Sequence, residues 1–463
     1  MADPRQRNEL LAALISESGW THTDVAGAFV RVASENGAHQ FASVGRSHVS
    51  KWVAGHAPSG RGPDFLREAL SRRLGRTLTA DDIGLTPAPT PQRTAPQWDT
   101  DTLSALTDLG RSDVELDRRR ALGAAAYSVA ALALPGSSWW SQMAERGAAH
   151  RTSGSGAVGR GDLEAVRDMA AMFSRIDQKH GGGHARTAVV QYLSYDVTRL
   201  LRGRYADERT RRDMLSAAAE LAYLSGWMAF DNAEHATAQR HFTDAVKLAA
   251  EADDPPMAAH TLRAMAHQAV DLGHPRHALS LAAASIDGRR YTLASPRERS
   301  LLGVVHARAL AAAGEHTAAA AALLRAEDDL HDADGTDEPA RVFFFTEASL
   351  AHETACTLRD SGDLAGALAQ FRRSARTRQA SAFARTHAVT LGYYGAVQAS
   401  QGAIEEACAT WGRALDAMDG VHSGRARQTA VTMRSALSPY RKRGVRAVTD
   451  IDARAAAFLA DAA

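Results

Sequence analysis

The feature that most constrains this chain is a register repeated five times in its second half. Small residues stand at Ala233, Gly273, Gly314, Gly362 and Gly402, spaced by 40, 41, 48 and 40 residues. Five positions after each stands alanine: Ala238, Ala278, Ala319, Ala367 and Ala407. Nine positions after stand Phe242, Ala282, Leu323, Phe371 and Trp411, and twelve after stand Ala245, Ser285, Ala326, Ser374 and Ala414. Seven positions before, every residue is again small: Gly226, Ala266, Ala307, Ala355 and Gly395. A fixed period of this length is the mark of stacked supersecondary units, each unable to bury its apolar face alone. Alanine, leucine, arginine and glutamate are strong helix formers, and β-branched runs are almost absent. The reading is an all-α chain built of helical hairpins, with small residues where paired helices approach closely.

This register resembles the tetratricopeptide repeat, with longer connections than that family's usual period. The resemblance implies a superhelix with a concave face. First-helix positions 13, 10, 6 and 3 residues before each turn should face it. They are Glu220, Tyr223, Trp227 and Phe230; His260, Arg263 and His267; Arg308; and His352 and Arg359. The fifth unit offers Val389, Gly392, Ala396 and Ala399 instead, which suit packing or a protein contact. An aromatic end followed by a cationic stretch suits a peptide or an anionic small molecule, because arginine grips a carboxylate with two parallel hydrogen bonds.

The N-terminal end has a different character. Helices are expected over Asn8 to Ser18, from Thr21 or Thr23 to near Gly37, from Gly45 to Ala54, and from Pro63 to Leu74. Between Arg46 and Arg76 stand Arg46, Lys51, Arg61, Arg67, Arg72, Arg73 and Arg76, opposed only by Asp64 and Glu68. That stretch stands at +5 within a chain of net charge +1, so the remainder is slightly acidic. A basic patch confined to one end fits a nucleic-acid-binding head on a body that binds none. In the third helix Val49, Trp52 and Val53 should face inward, leaving Arg46, Ser47, His48, Ser50 and Lys51 outward, with Ser43 just before them. Arginine forks onto guanine in the major groove, and serine and histidine bond bases or phosphates. Lys51, Arg61, Arg72 and Arg73 are read as phosphate contacts, which position a protein without reading sequence.

The stretch Ser50-Lys51-Trp52-x-x-Gly55-x-x-Pro58 resembles the third helix and exit of phage-repressor-type helix-turn-helix proteins. The run from Leu70 to Leu85 is similar to the segment closing this head in the actinobacterial (Streptomyces-type) helix-turn-helix/tetratricopeptide regulators. Asp177 to Arg204 and Gly226 to Asp231 resemble the body of the same proteins. The resemblance implies a transcriptional regulator of development or secondary metabolism, binding double-stranded DNA as a homodimer and sensing a peptide, small molecule or protein partner. The alternative is an adaptor or inhibitor that binds another protein and no DNA.

The expected organisation is a helix-turn-helix domain over 1–85, a Pro-rich linker over 86–98 that lets the head move, connecting helices over 99–160, repeats over 161–440 and a capping helix over 441–463. Within 121–134, apolar apart from Ser128, a buried joining helix is expected, because the run is too short to span a membrane. Cys356 and Cys408 lie far apart, outside any CxxC, and fit a reducing cytoplasm. Met1 to Arg5 shows no secretory pattern. His180 and His184, separated by three glycines, are read as a loop and not as a metal site, since two ligands leave zinc half coordinated. No phosphate loop, serine elbow or dinucleotide fingerprint stands in the chain, so neither an enzyme nor a cofactor is expected.

Overall fold

The computed structural model describes residues 7–36, 38–76, 78–79, 82–85, 98–118, 127–149, 156–333, 335, 337–441 and 443–461. The fold is all-α. Four helices form the N-terminal head: α1 Glu9–Ser18, α2 His22–Glu35, α3 Arg46–Val53 and α4 Gly62–Leu74. Thr21 caps α2 in a reciprocal capping box with Asp24, which satisfies donors otherwise orphaned at a helix start. Phe29, Phe41, Trp52 and Phe65 meet as edge-on or tilted rings at centroid separations of 5.0–6.1 Å. This aromatic knot, with Val25, Val49 and Leu66 fully buried, is the head's own core.

The body opens with α5 Thr102–Arg118, α6 Ser137–Ala149, α7 Arg160–His180 and α8 Gly182–Gln191, then a wide helical turn over Tyr192–Val197 and the single turn α9 Thr198–Leu201. A two-residue parallel pairing of Ala157–Val158 with Arg204–Tyr205 ties the start of α7 to the approach of α10. Hairpins follow in series: α10 Glu208–Asp231 with α11 His235–Glu251, and α12 Pro255–Asp271 with α13 Pro275–Ser285. After the single turn α14 Arg289–Thr292 come α15 Pro296–Ala312 with α16 His316–His331, and α17 Glu347–Asp360 with α18 Leu364–Thr377. The series ends with α19 Ala384–Ser400 and α20 Ile404–Ala417, then α21 Gly424–Leu437 and α22 Arg446–Asp461.

The repeated register has a direct physical cause. All five turn residues, Ala233, Gly273, Gly314, Gly362 and Gly402, have φ between 63° and 88°. Glycine reaches that region without steric cost, and alanine pays for it. At the first and fifth turns the small residue seven before meets the residue nine after. A Cβ on Gly226 would lie 2.7 Å from the Phe242 ring, and one on Gly395 would lie 2.4 Å from Nε1 of Trp411. The absence of a side chain there lets the two helices close on a bulky residue of the returning one.

Two expectations change, and one lies outside what the structure describes. Residues 86–97, the Pro-rich linker, lie outside the described residues, as do 119–126. The described part of the expected joining helix, residues 127–134, is not an α-helix; it runs irregularly through a short 3-10 turn at Ala130–Leu132. The three glycines after His180 do not form a loop: α7 ends at His180 and α8 begins at Gly182. The corner is tight because His422 pairs its N–H with the carbonyl of His180 and accepts from Gly183 N–H. No helix among the described residues is long and apolar enough to cross a membrane.

Gly395→Ala should cost roughly 1–3 kcal/mol of stability through overpacking against Trp411. Urea unfolding of the single variant and of Gly395→Ala/Trp411→Leu checks this. The second substitution should recover part of the first loss, since the two residues occupy the same space.

Candidate functional site

In the head, α3 presents the expected surface. Val49, Trp52 and Val53 are buried, while Ser43, Arg46, Ser47, His48, Ser50 and Lys51 are exposed. The face is partly fixed by local bonds. Nδ1 of His48 accepts from the N–H of Gly45 at 3.2 Å, closing the helix start, and Ser50 Oγ lies 3.0 Å from Nδ1 of His22 on α2.

The expected phosphate contacts other than Lys51 are placed elsewhere. Arg72 lies between Glu68 and Glu35, at 2.8 Å from each, with its side chain 15% exposed. Burial disfavours its charge, but the two carboxylates outweigh that and raise its pKa. Arg61 is half-buried, with its guanidinium 4.7 Å from the centre of the Phe65 ring. Arg73 stays exposed, but its Nε donates to the Ser18 carbonyl and its guanidinium stands over Trp20. Arg67 and Arg76 pair with Asp64 and Glu17. Three of the seven basic residues, Arg67, Arg72 and Arg76, are thus paired with carboxylates, because helices folding together bring in Glu17 and Glu35 from outside the run.

Arg72 also marks where head meets body. Its Nη2 donates to the Tyr127 carbonyl, and Glu68 Oε1 accepts from Val129 N–H at 2.8 Å. Gln239 on α11 holds both the N–H and the carbonyl of Ser128. The Tyr127 ring stacks on His274, whose Nε2 is 3.8 Å from Glu35. Residues 127–129 thus strap the head to the hairpins. The expectation of a freely moving head gives way to a docked one, with α3 still facing solvent.

In the body, the candidate groove residues come together, but not on an open concave face. Tyr223, Phe230, His260, Arg263, His267, Arg308 and His352 are all buried, and Trp227 and Arg359 are partly so. The series of hairpins returns on itself. Arg385 on α19 bonds Asp177 on α7 at 3.1 Å and Asp231 on α10 at 3.3 Å, and all three are at most 3% exposed. The groove becomes an interior. Within it Arg308 reaches Asp271 at 2.6 Å and Glu353 at 3.5 Å, and donates to Nε2 of His267. Arg359 pairs with Asp360 and stands over Tyr393. Arg263 donates to the Tyr223 hydroxyl and to Nε2 of His260.

The titration states follow from this burial. Burial pushes the His352 imidazole down to about 3, and burial with Arg263 drives His260 well below its usual value. Burial would raise Glu353, but His267 and Arg308 outweigh it and pull it to about 2. Arg308 likewise holds Asp271 well below the carboxylate range against its burial. His260 and His352 are therefore neutral near pH 7, acting as hydrogen-bonding groups and not as cations.

Two spaces adjoin these residues. An interior cavity of about 60 Å³ is lined by Trp227, Arg263, His267, His352, Arg378, Arg385 and neighbours. A cleft of about 770 Å³ runs from Arg31, Ser34 and Glu35 of the head to Phe230, Arg308, Arg359 and Tyr393 of the body. Arg425 lines both. The charged residues that close the interior, Asp177, Asp231, Asp271, Glu353, Arg385 and Arg425, escaped the sequence reading. Asp177 and Arg385 are 208 positions apart, and nothing local marks either.

Residues 11–86 match the SP15 N-terminal domain. The match takes in the helices of the head. No curated protein and no solved structure matches the chain.

Two measurements test this geometry. Arg72→Ala leaves two carboxylates against a buried strap and should cost roughly 3–5 kcal/mol in thermal or urea unfolding, whereas Lys51→Ala should change stability little. His352 has a depressed folded pKa, so its unfolded form binds protons first as pH falls below about 6.5. The stability it supports is present above that pH and lost progressively toward its folded value of about 3. Between pH 6 and 4 the wild type should lose up to about 1.4 kcal/mol more per pH unit than His352→Gln.

Proposed function

We propose that this chain is a DNA-binding transcriptional regulator, with a helix-turn-helix head and a tetratricopeptide-like sensor body. The observation that carries the reading is α3. It buries Val49, Trp52 and Val53 and offers Arg46, Ser47, His48, Ser50 and Lys51 to solvent on a helix packed against α2. An exposed helix of eight residues with arginine at its first position suits entry into a major groove, where residues near the helix N-terminus reach base edges. Arg46 forms no ion pair among the described residues, so its fork is available to a guanine. Lys51, near the other end, suits a phosphate.

A head of this size supplies few base contacts, and a homodimer on paired half-sites would supply enough for specificity. The body's part is to sense a peptide, small molecule or partner protein. The docked strap over Tyr127–Val129 gives that sensing a route to the head, because it bonds to Glu68 and Arg72 on one side and to Gln239 on the other. The resemblance to the actinobacterial regulators supports a role in development or secondary metabolism in a bacterial cytoplasm. The rival reading, an adaptor that binds protein and no DNA, draws on the pairing of Arg67, Arg72 and Arg76 with carboxylates, which takes three of the seven basic residues of the run away from phosphate.

The test is fluorescence anisotropy of the full chain with the DNA upstream of its own gene and with random DNA, across a salt series. Salt-dependent preference for the upstream DNA is the expected outcome; equal binding or none favours the adaptor. Arg46→Ala should reduce the preference by about 1–3 kcal/mol at one base pair. Lys51→Ala should weaken all sequences alike and make the salt slope shallower by about one.

A further inference from the structure

Of the four arginines that line the interior cavity, two have a direct carboxylate partner and two have none among the described residues. Of the arginines lining it, Arg385 is neutralised by Asp177 and Asp231, and Arg425 faces Asp271 at 3.5 Å. Glu353, the carboxylate on its wall, is engaged by Arg308 and His267. Arg263 and Arg378 are left over. They are 2% and 7% exposed, and no carboxylate among the described residues lies within ion-pair reach of either. Arg263 is bonded only to the neutral partners Tyr223 and His260 and stands over the Tyr223 and Trp227 rings. Arg378 donates to the Ala348 carbonyl and to the Ser374 and Ser349 hydroxyls. The Nε–H of each is buried without a hydrogen-bond partner. Burial, reinforced by the nearby charge of Arg385, pulls Arg378 down to about 10.

Two buried guanidiniums without a carboxylate partner are costly, and an anion bonded to them offsets part of that cost. Guanidinium forks match a carboxylate in geometry as well as in charge. The wall also carries an apolar part, Trp227, Leu301, Val305, Phe344, Phe345 and Val389, beside the polar Gln178, Ser349 and Thr386. A bare, strongly hydrated ion gains nothing from the apolar part of that wall, whereas an organic acid buries its body against it. A volume of about 60 Å³ is small. One water needs roughly 10–15 Å³ on the same measure, so the space holds a few water-sized groups and excludes a peptide.

We infer that the interior cavity, between Arg263 and Arg378, is a binding site for one small organic carboxylate. This deepens the sensing half of the regulator reading and rests on it for its biological meaning. The site itself is a property of the body alone, and its test contains no DNA. Failure of carboxylate binding leaves the DNA reading standing, and failure of DNA binding leaves the site standing.

The experiment is calorimetric titration and thermal unfolding of the full chain with acetate, butyrate and benzoate. Acetamide, butyramide and benzamide serve as neutral counterparts, and inorganic phosphate as the hydrated anion. The expected result is saturable one-to-one binding of at least one carboxylate, with a rise in Tm, and no such response to its amide. Arg263→Gln and Arg378→Gln should each weaken that binding roughly 10- to 100-fold. Arg378→Met, which removes an uncompensated buried charge, should keep or raise the Tm of the free protein and abolish the response, so loss of binding is separable from loss of folding. Absence of any carboxylate response overturns the proposal. So does an equal response to the amides, a response to phosphate alone, or binding that survives both glutamine variants.

Discussion

The buried contact of Arg385 with Asp177 and Asp231 decides what kind of object this chain is. A row of helical hairpins can remain an open superhelix, with one face in water. Here α19 and α21 return to α7, α8 and α10, and the closing contact is ionic and almost fully dehydrated. Such a contact persists only because each charge meets an opposite one and several hydrogen bonds; losing one partner would strand the others in a low-dielectric interior. The paired backbone bonds of His422 to His180 and Gly183 fix the same closure from the polar main chain. Once the faces meet, residues that would have lined a solvated groove become a polar interior. Their chemistry changes accordingly: His260 and His352 are held neutral, and Arg308, Asp271 and Glu353 lock together.

The same logic operates where the head docks. Arg72 carries charge of the kind that reads, in a linear sequence, as a surface for phosphate. In the fold it is the centre of a buried cluster with Glu35 and Glu68 that also grips the strap at Tyr127 and Val129. The head is thus held by polar groups satisfied jointly from two sides. The contact leaves α3 outward and turns α2 toward the cleft, with Arg31, Ser34 and Glu35 facing Arg308 and Arg359 across it. A change in the body's interior and a change in the head's setting therefore share neighbours, Arg425 chief among them.

Much of the architecture was legible in the sequence because it arises from local and periodic requirements. Hairpin turns need residues that accept positive φ, close helix pairs need a small residue opposite a bulky one, and the periodicity writes both out. The inward and outward faces of α3 were legible for the same reason, since eight residues on a helix sort themselves by polarity. The candidate groove residues were also found by periodicity, which gives the face of a helix and says nothing about what that face will meet. The glycines after His180 were misread because a run of glycine signals freedom in isolation and close approach in a packed corner.

By itself the sequence determined the helices, the hairpin register and the surface of the third helix of the head, each fixed by neighbours within a few turns of chain. Only the tertiary structure decided that the groove is an interior and that Arg67, Arg72 and Arg76 of the basic run are paired with carboxylates. It alone left Arg263 and Arg378 without a carboxylate. These outcomes depend on which charges meet across separations such as the 208 positions between Asp177 and Arg385. Coulombic pairing and desolvation act on distance in space, and a linear order of residues does not contain that distance.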